Sequence, residues 1–194
     1  QFQKAKARVA AAGLEDRVTL LQSDYRSLEG RYDKLVSIEM IEAVGLDYLP
    51  QFFEVCASLL KPGGSMLLQA ITIAEQRFEA AKHSVDFIQR YIFPGGALAC
   101  VKTLVEVSAA ERAGFRVYGL EDITPHYALT MSRWRDAFEA NLTEIKALGL
   151  SETFLRMWRY YFCYCEAGFR QRAIGCVHMQ LHLPGFQLEV AAHD

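Results

Sequence analysis

The sequence predicts an α/β protein with a doubly wound, Rossmann-like parallel sheet, and three observations support this fold class. Segments with helical and strand-like apolar spacing alternate along the chain. Turns that contain glycine or proline separate these segments. Hydrophobic residues make up 52% of the 194 residues, which is enough for a full core. No internal repeat, low-complexity segment or linker is visible, so a single domain over residues 1–194 is expected.

Composition argues against several classes of function. The net charge is -2, and no basic tract is interleaved with aromatic residues, which argues against nucleic-acid binding. The five cysteines are odd in number and lack CxxC spacing, so no disulfide framework and no metal site are expected, and a reducing cytoplasm fits best. No apolar run reaches transmembrane length. The chain starts at Gln1 inside a helical pattern, so a fragment without its front part is expected.

The first half of the chain predicts the order helix, strand, strand, helix, strand. Apolar residues at helical spacing predict a helix capped by Gly13, and residues 18–22 predict a strand. The apolar run at 35–38 predicts a strand that is buried on both faces of a parallel sheet. The apolar stripe over 49–60 predicts a helix that proline and glycine residues stop, and 65–72 predicts the next strand.

Two long stretches interrupt this alternation in the second half. Residues 74–101 carry more large apolar side chains than an ordinary surface loop, and such an excursion commonly covers a pocket. Residues 124–167 predict helices with aromatic faces. Between the excursions, 102–113 predicts a helix and 115–120 a strand, and 174–183 predicts the final strand.

A pair of carboxylates follows the strand at 35–38. Glu39 and Glu42 are three residues apart, so a helical turn would place both on one side, beyond the carboxyl end of the strand. Ligands bind at that end of open α/β sheets. The alternative is that both are first-turn acids of a surface helix, placed near its positive dipole end. Spacing alone leaves both interpretations open.

A resemblance to a known family is carried by five segments: YDKLVSIEMIEAVG, LLKPGG, LLQAITI, FIQRYIFPGG and WRYYFCYCEAGFRQR. Together they resemble the cyclopropane fatty acyl phospholipid synthases and the mycolic acid cyclopropane synthases, which are S-adenosylmethionine-dependent methyltransferases. The resemblance covers essentially the whole chain. It implies the class I methyltransferase form of the sheet, lacking its first strand and the glycine-rich cofactor loop, with both excursions covering an acyl pocket.

The resemblance also implies residues that bind S-adenosylmethionine. Gln1 falls where the family's LSxxQ element places a glutamine that contacts the cofactor. Asp24, Tyr25 and Arg26 fall in the loop that approaches the adenine ring. Ile38 falls on the strand that lines the methionine side of the cofactor.

The catalytic residues that the resemblance implies surround a bicarbonate ion. Glu42, Ile71 and Tyr127 match members of that ion's shell, and Gln69 stands where many relatives have histidine. Cys165 matches a cysteine that is sometimes marked as the active site. Its place on an apolar helical stripe favours the alternative that it is a packing residue. The aromatic residues Tyr91, Phe93, Tyr161 and Phe162 are candidates to stabilise a carbocation.

The function that the resemblance implies is transfer of a methylene group from S-adenosylmethionine to the cis double bond of an unsaturated fatty acyl chain of a phospholipid. A carbocation forms, and bound bicarbonate deprotonates it to close a cyclopropane ring. Since glutamine cannot carry a proton at neutral pH, methylation of an acyl chain or another hydrophobic acceptor without ring closure stays open. A non-catalytic lipid-binding domain is the alternative from another class.

Location and assembly are further expectations. The protein is expected in the cytoplasm, with peripheral contact at the inner membrane face through four arginines, Arg156, Arg159, Arg170 and Arg172. The 194-residue chain alone is expected to bind S-adenosylmethionine weakly or not at all and to be inactive. An exposed sheet edge is expected to favour association, a homodimer included.

Overall fold

The computed structural model describes residues 1–187 and divides into two compact units, residues 1–30 and the chain from Arg31 onward. Each unit is described by itself. The single domain that the sequence predicts for residues 1–194 stays a prediction, and its last seven residues lie outside the described part.

The first unit consists of a helix and an irregular segment. Helix α1 spans Phe2–Ala11, and the chain leaves it through Gly13, whose φ of 64° is the left-handed cap predicted from the sequence. The strand predicted at 18–22 is wrong, because these residues form no strand. A strand exists only with a neighbour that completes its hydrogen-bond ladder, and no described residues supply one beside this segment. A short 3₁₀ helix, Tyr25–Ser27, follows.

The second unit is built on a four-stranded sheet in the order β1-β2-β4-β3. Its strands are β1 Tyr32–Ile38, β2 Leu60–Ile73, β3 Arg116–Asp122 and β4 Ile174–His182. Strands β1 and β2 are parallel, whereas β4 is antiparallel to both β2 and β3. The α/β class is therefore as predicted, but the sheet is mixed rather than wholly parallel.

Seven helices of this unit connect the strands. They are α2 Leu49–Ser58, α3 Glu75–Lys82, α4 Phe87–Tyr91, α5 Val101–Ala109, α6 Thr124–Ala140, α7 Leu142–Ala147 and α8 Glu152–Arg170. The two predicted excursions hold α3 and α4, and α6 to α8. Within residues 1–187, no helix combines the length and the apolar content that spanning a bilayer requires.

The reversed direction of β4 follows from the helices that precede it. Helices α6 and α8 are antiparallel, because Tyr127 packs against Phe169 at one end of the pair and Phe138 against Phe162 further along. After β3 the chain runs back along α6 and forward again along α8. Strand β4 therefore starts at the end of the sheet where β3 finished and runs antiparallel to it. A single crossover helix would instead have made the last strand parallel to its neighbour.

The two faces of the sheet differ in what covers them. On one face, Leu68 of β2 and Met179 of β4 are fully buried with Phe53 of α2 and Leu104 of α5. On the other face lies a second apolar cluster between α6, α8 and β4. This cluster contains Met131, Phe162, Cys165, Phe169 and Cys176, and Ile71 and Tyr127 pack against it.

Burial of β1 on both faces was predicted, and this prediction is wrong. Val36 and Ile38 are 62% and 53% exposed, whereas Ser37 between them is buried. Among the described strands β1 lies at the edge of the sheet and pairs only with β2, so one of its faces lacks cover. The run of apolar residues indicated a strand correctly but not its place in the sheet.

Candidate active site

The site begins where β1 ends. Glu39 is the first residue after the strand, and its φ of 50° lies in the left-handed region that side-chain-bearing residues rarely adopt. Such a conformation costs about 1–3 kcal/mol and persists only where the surroundings hold it in place. The backbone N–H of Glu39 donates to the carbonyl of Gln69 on β2 at 3.0 Å. The turn therefore places the Glu39 side chain beside β2.

The carboxylate of Glu39 is held by two donors from distant parts of the chain. Its Oε1 accepts a hydrogen bond from Nε2 of Gln69 at 2.6 Å. Its Oε2 accepts one from the hydroxyl of Tyr127, on the first turn of α6, also at 2.6 Å. Hydrogen bonds to an ionised acceptor are short and strong, so these contacts fix the carboxylate in one position.

A polar row continues from Gln69 across the sheet. Oε1 of Gln69 lies 2.8 Å from Nε2 of His178 on β4, and the two residues are opposite each other in the β2–β4 ladder. His178 is opposite Glu121 on β3, and its Nδ1 lies 3.7 Å from Oε2 of that residue. The row therefore links all four strands on one face of the sheet.

Glu42 lies in a short 3₁₀ turn, Ile41–Ala43, and its side chain points into the protein. Its Oε1 accepts a hydrogen bond from the backbone N–H of Ile71 at 2.6 Å. Its Oε2 is buried and accepts no hydrogen bond from the described residues. Burial, with a contribution from the nearby Glu39 charge, raises the pKa of Glu42. The geometry is thus not that of a solvated acid on a surface helix.

The arrangement of these residues bears on the predicted bicarbonate ion. The side-chain donors expected for the ion, Tyr127 and Gln69, both donate to Glu39, and the Ile71 N–H donates to Glu42. An anion placed among them would meet the Glu39 carboxylate, and like charges repel at this distance. Only the unpartnered Oε2 of Glu42 suits the hydroxyl of such an ion. The residues as arranged do not fit bicarbonate.

The two most distinctive motifs of the sequence meet at this site. The N–H of Ala97, directly after the glycines of the YIFPGG segment, donates to the carbonyl of Glu42 at 2.9 Å. Nε2 of Gln89 on α4 donates to the carbonyl of Gly96 at 2.9 Å and holds the same loop. The first excursion is therefore anchored on the turn that carries Glu42.

Aromatic residues from both excursions lie nearby. Tyr161 on α8 makes edge contacts with Phe93 and Trp158, at ring-centroid distances of 6.0 Å and 5.3 Å. Burial raises the pKa of Tyr161, and the Glu39 charge contributes. Of the other candidates for cation stabilisation, Phe162 belongs to the buried core cluster and Tyr91 is half-exposed beside Phe87. Tyr161 also contacts its neighbour Phe162 at 5.4 Å, and Tyr161 with Phe93 is the candidate pair that joins the two excursions outside that core cluster.

Cys165 lies in the apolar cluster between α6 and α8 and is only 8% exposed. Burial raises its pKa to about 12, so the thiol keeps its proton at neutral pH. These properties favour the packing interpretation over thiolate chemistry.

The residues predicted to bind the cofactor are divided between the two units. In the first unit, Asp24 caps the 3₁₀ helix and pairs with Arg26 at 2.6 Å, and these hydrogen bonds lower the pKa of Asp24 to about 2. Tyr25 begins that helix, and Gln1 precedes α1. Ile38 ends β1 in the second unit. Their joint role in binding S-adenosylmethionine remains a prediction.

Two residues of the site were not among the predicted site residues. Glu39 was noted in the carboxylate pair, yet the resemblance pointed only to Glu42. The positive φ of Glu39 was the missing information, and spacing does not reveal it. His178 meets Gln69 only through the β2–β4 register, across 109 residues of sequence, and no local pattern predicts that pairing.

A cavity of about 190 Å³ lies at the carboxyl end of β2. Its lining includes Thr72, Asp122, Thr124 and Arg172, but neither of the two glutamates nor Gln69 nor Tyr127. Its lining residues thus differ from those of the candidate active site.

Fold and site together define a class of protein. The mixed sheet with an antiparallel strand next to last, and a polar cluster just beyond the carboxyl end of β1, is the arrangement of class I S-adenosylmethionine-dependent methyltransferases. The mycolic acid cyclopropane synthetase family model matches residues 1–179. The chain belongs to this family.

Curated relatives agree with this assignment. The chain is 42% identical over 170 residues to the tuberculostearic acid methyltransferase UfaA1 of Mycobacterium tuberculosis, which covers 88% of this chain and 40% of that protein. It is 35% identical over 173 residues to the cyclopropane-fatty-acyl-phospholipid synthase of Escherichia coli, which covers 89% of this chain and 42% of that protein. The chain thus spans about two-fifths of the length of these relatives.

Solved structures show the same fold. The mycolic acid cyclopropane synthase CmaA1, complexed with SAH and CTAB, superposes with a TM-score of 0.78 at 27% identity, over 92% of this chain and 67% of that one. The cyclopropane synthase MmaA2 from Mycobacterium tuberculosis gives a TM-score of 0.76 at 26% identity, over 91% and 65% of the two chains.

Proposed function

We propose that the whole protein transfers a one-carbon group from S-adenosylmethionine to the cis double bond of an unsaturated fatty acyl chain of a phospholipid. The observation that carries this proposal is the fixed carboxylate of Glu39 at the carboxyl end of β1, with Glu42 and aromatic side chains beside it. Positive charge that develops on a hydrocarbon needs such an environment. The relatives named above act on fatty acyl groups by their printed names, which supports the choice of substrate.

The reaction begins with a weak nucleophile. The π electrons of the alkene form a bond to the sulfonium methyl, the carbon–sulfur bond breaks, and sulfur keeps its electron pair. The neighbouring alkene carbon becomes a carbocation. Because an alkene reacts slowly, the two reactants must be held in line and away from water.

Residues of this chain favour the cation in two ways. The rings of Tyr161 and Phe93 present π electrons that stabilise a cation by about 0.5–2 kcal/mol each. The negative charge of Glu39, fixed before the reaction starts, acts without reorganisation. Ile38, half-exposed at the end of β1, is proposed to contact the methyl donor. The family resemblance supports the further proposal that Gln1, Asp24, Tyr25 and Arg26 bind S-adenosylmethionine.

Loss of a proton completes the reaction, and two products follow from it. If the new methyl group loses the proton, its C–H electron pair closes a cyclopropane ring onto the cationic carbon. Methylation without ring closure is the second candidate. It is favoured by Gln69, which cannot carry a proton as histidine does, and by the 42% identity to a protein named as a methyltransferase.

Contact with a membrane surface is part of the proposal, because phospholipid chains reside there. The four arginines that suggested such contact support it less than expected. Arg159 pairs with Glu139, Arg170 with Glu166 and Arg172 with Asp122, so much of their charge is compensated within the protein.

The test uses the whole protein, S-adenosylmethionine with a labelled methyl group and vesicles of cis-unsaturated phospholipid. Label is expected in the acyl chains, and Glu42→Gln is expected to remove most of the rate. Both products add CH₂ and keep one unsaturation equivalent, so the lipids are hydrogenated under mild conditions before mass spectrometry, which adds two hydrogens to a C=C bond and leaves a ring intact. No binding of S-adenosylmethionine by calorimetry, together with no labelled lipid, would support the non-catalytic lipid-binding alternative and contradict the proposal.

A further inference from the structure

The Glu39 carboxylate occupies the place where the family resemblance leads us to expect a free anion. Its two oxygens accept the hydrogen bonds of Gln69 and Tyr127, each at 2.6 Å. These donors come from β2 and from α6, so the tertiary structure, rather than local sequence, positions this carboxylate. A side chain covalently attached to the chain already supplies the negative charge at this point.

The geometry leaves Glu39 able to accept a proton. A carboxylate has four lone-pair positions, and the two hydrogen bonds occupy one on each oxygen. The side chain is only partly buried, at the carboxyl end of a strand where ligands of α/β proteins bind. The remaining lone pairs are therefore available to a bound molecule.

The second carboxylate is less suited to this task. Glu42 is turned inward, accepts the Ile71 N–H and has one oxygen without a partner among the described residues. Burial favours its protonated form. Glu39 accepts from two side-chain donors and is only partly buried, so it is the better placed of the two carboxyl groups to act on a bound molecule.

We propose that Glu39 is a built-in proton acceptor, which takes the place of a free anion in the final step of the reaction. The inference rests on the proposed function. The methylated cation gives a proton of its new methyl group to a Glu39 oxygen, and the C–H electron pair closes the ring. Without ring closure, a hydride first moves from the methyl-bearing carbon to the cationic carbon, and the same C–H pair forms a C=C bond. In both cases the partly exposed Glu39 then returns the proton to water.

The rest of the polar row acts through Glu39. Nε2 of His178 donates to Oε1 of Gln69 at 2.8 Å and so orients the amide, whose NH₂ group points at Glu39. Gln69 and His178 are thus positioning residues. Glu121, largely exposed and 3.7 Å from His178, lies at the far end of the row.

The first experiment measures labelled methyl transfer by the whole protein in buffers with and without bicarbonate. Wild-type turnover is expected to be the same in both. Glu39→Gly is expected to lose about 100-fold or more in bicarbonate-free buffer, in line with the contribution of a general base, and to recover in part when bicarbonate fills the vacated space. Glu39→Gln keeps the space filled and is expected to lose as much without recovery.

Control variants and contradicting results complete this experiment. Glu144→Gln, at an exposed carboxylate on α7, is expected to keep turnover within about threefold of wild type, because surface substitutions have small effects. Wild-type turnover that falls on removal of bicarbonate and saturates when it is added back would overturn the inference. Bicarbonate-free turnover of Glu39→Gly equal to that of wild type would overturn it as well.

A second measurement does not depend on the substrate. Titration with ¹³C-bicarbonate, followed by carbon NMR, is expected to show binding to Glu39→Gly and none to wild type. Bicarbonate binding to the wild type that Tyr127→Phe abolishes would overturn the inference. If no acyl chain receives label under any condition, the proposed function fails, while the titration still decides whether Glu39 takes the place of the anion.

Discussion

The two faces of the sheet are made by alternate residues of the same strands, yet different interactions hold their side chains in place. On one face Leu68 and Met179 are fully buried among apolar side chains. On the other, the adjacent residues Gln69 and His178 form a hydrogen-bonded row that ends at Glu39. Partly buried polar groups are tolerated only when they are paired, whereas apolar contacts need no specific partner. The polar row therefore lies on one face only, which also carries the second apolar cluster, and substitutions of Leu68 and of the polar row should have different effects.

The largest expected effect is on the apolar face. Leu68→Ala removes a fully buried side chain and leaves a cavity, so the free energy of unfolding should fall by about 2–5 kcal/mol. Denaturant unfolding of the whole protein measures the change. Val36→Ala, on the exposed part of β1, is the matched control and should cost about 0.5 kcal/mol or less. Equal losses for the two variants would contradict this expectation.

On the polar face, Tyr127→Phe removes one hydroxyl and keeps the ring. Glu39 loses one of its two donors, so turnover should fall by about 10- to 100-fold, while unfolding free energy falls by only about 1–2 kcal/mol. Labelled methyl transfer and denaturant unfolding, measured on the same preparation, test this expectation. Tyr160→Phe changes a half-exposed ring on α8 and should alter neither quantity. A Tyr127→Phe variant with wild-type turnover would remove the role of this contact.

The next effect is a pH dependence of the unfolding free energy that arises from Glu42. Its pKa is raised in the folded state above the ordinary value of 4.5, so the folded protein binds the proton more tightly than the unfolded chain. Stability contributed by the protonated form is fully present below that value and is lost as pH rises toward the folded-state pKa. Glu42→Gln should remove this slope. The free energy of unfolding, measured across that pH window for wild type, Glu42→Gln and the comparison variant Glu39→Gln, tests this expectation. Parallel pH curves for Glu42→Gln and wild type would contradict it.

The smallest effect is expected at Cys165. Because this thiol is buried and holds its proton, Cys165→Ala should keep turnover within about twofold and cost about 1 kcal/mol of stability. Cys163→Ala, an exposed neighbour on α8, is the control and should change neither. Loss of most turnover in a folded Cys165→Ala protein would restore the catalytic interpretation.

Periodicity and turn residues predicted most elements of the fold. Helix α2 and strand β4 lie within a few residues of their expected bounds, because apolar spacing and terminal signals are local properties. The direction of β4 and the exposure of Val36 were not predicted, since both depend on which elements become neighbours in space. The segment 18–22 has a strand-like sequence, but a strand requires a partner, and local sequence does not supply one.

The sequence predicted several residues of the site but not the hydrogen bonds between them. The resemblance pointed to Glu42, Gln69 and Tyr127, and the structure brings all three to the end of β1. The resemblance did not indicate that Gln69 and Tyr127 donate their hydrogen bonds to Glu39. That outcome depends on one backbone dihedral angle and on contacts 30 and 88 residues apart along the chain.

The left-handed backbone at Glu39 has an evolutionary consequence. Glycine adopts this conformation without strain, and every glutamate codon becomes a glycine codon through one nucleotide change. Such a change would relax the turn and free the Gln69 and Tyr127 donors for a dissolved ion. Enzymes that carry their own base and enzymes that recruit one from solution would then be neighbours in sequence space, separated by a single mutation.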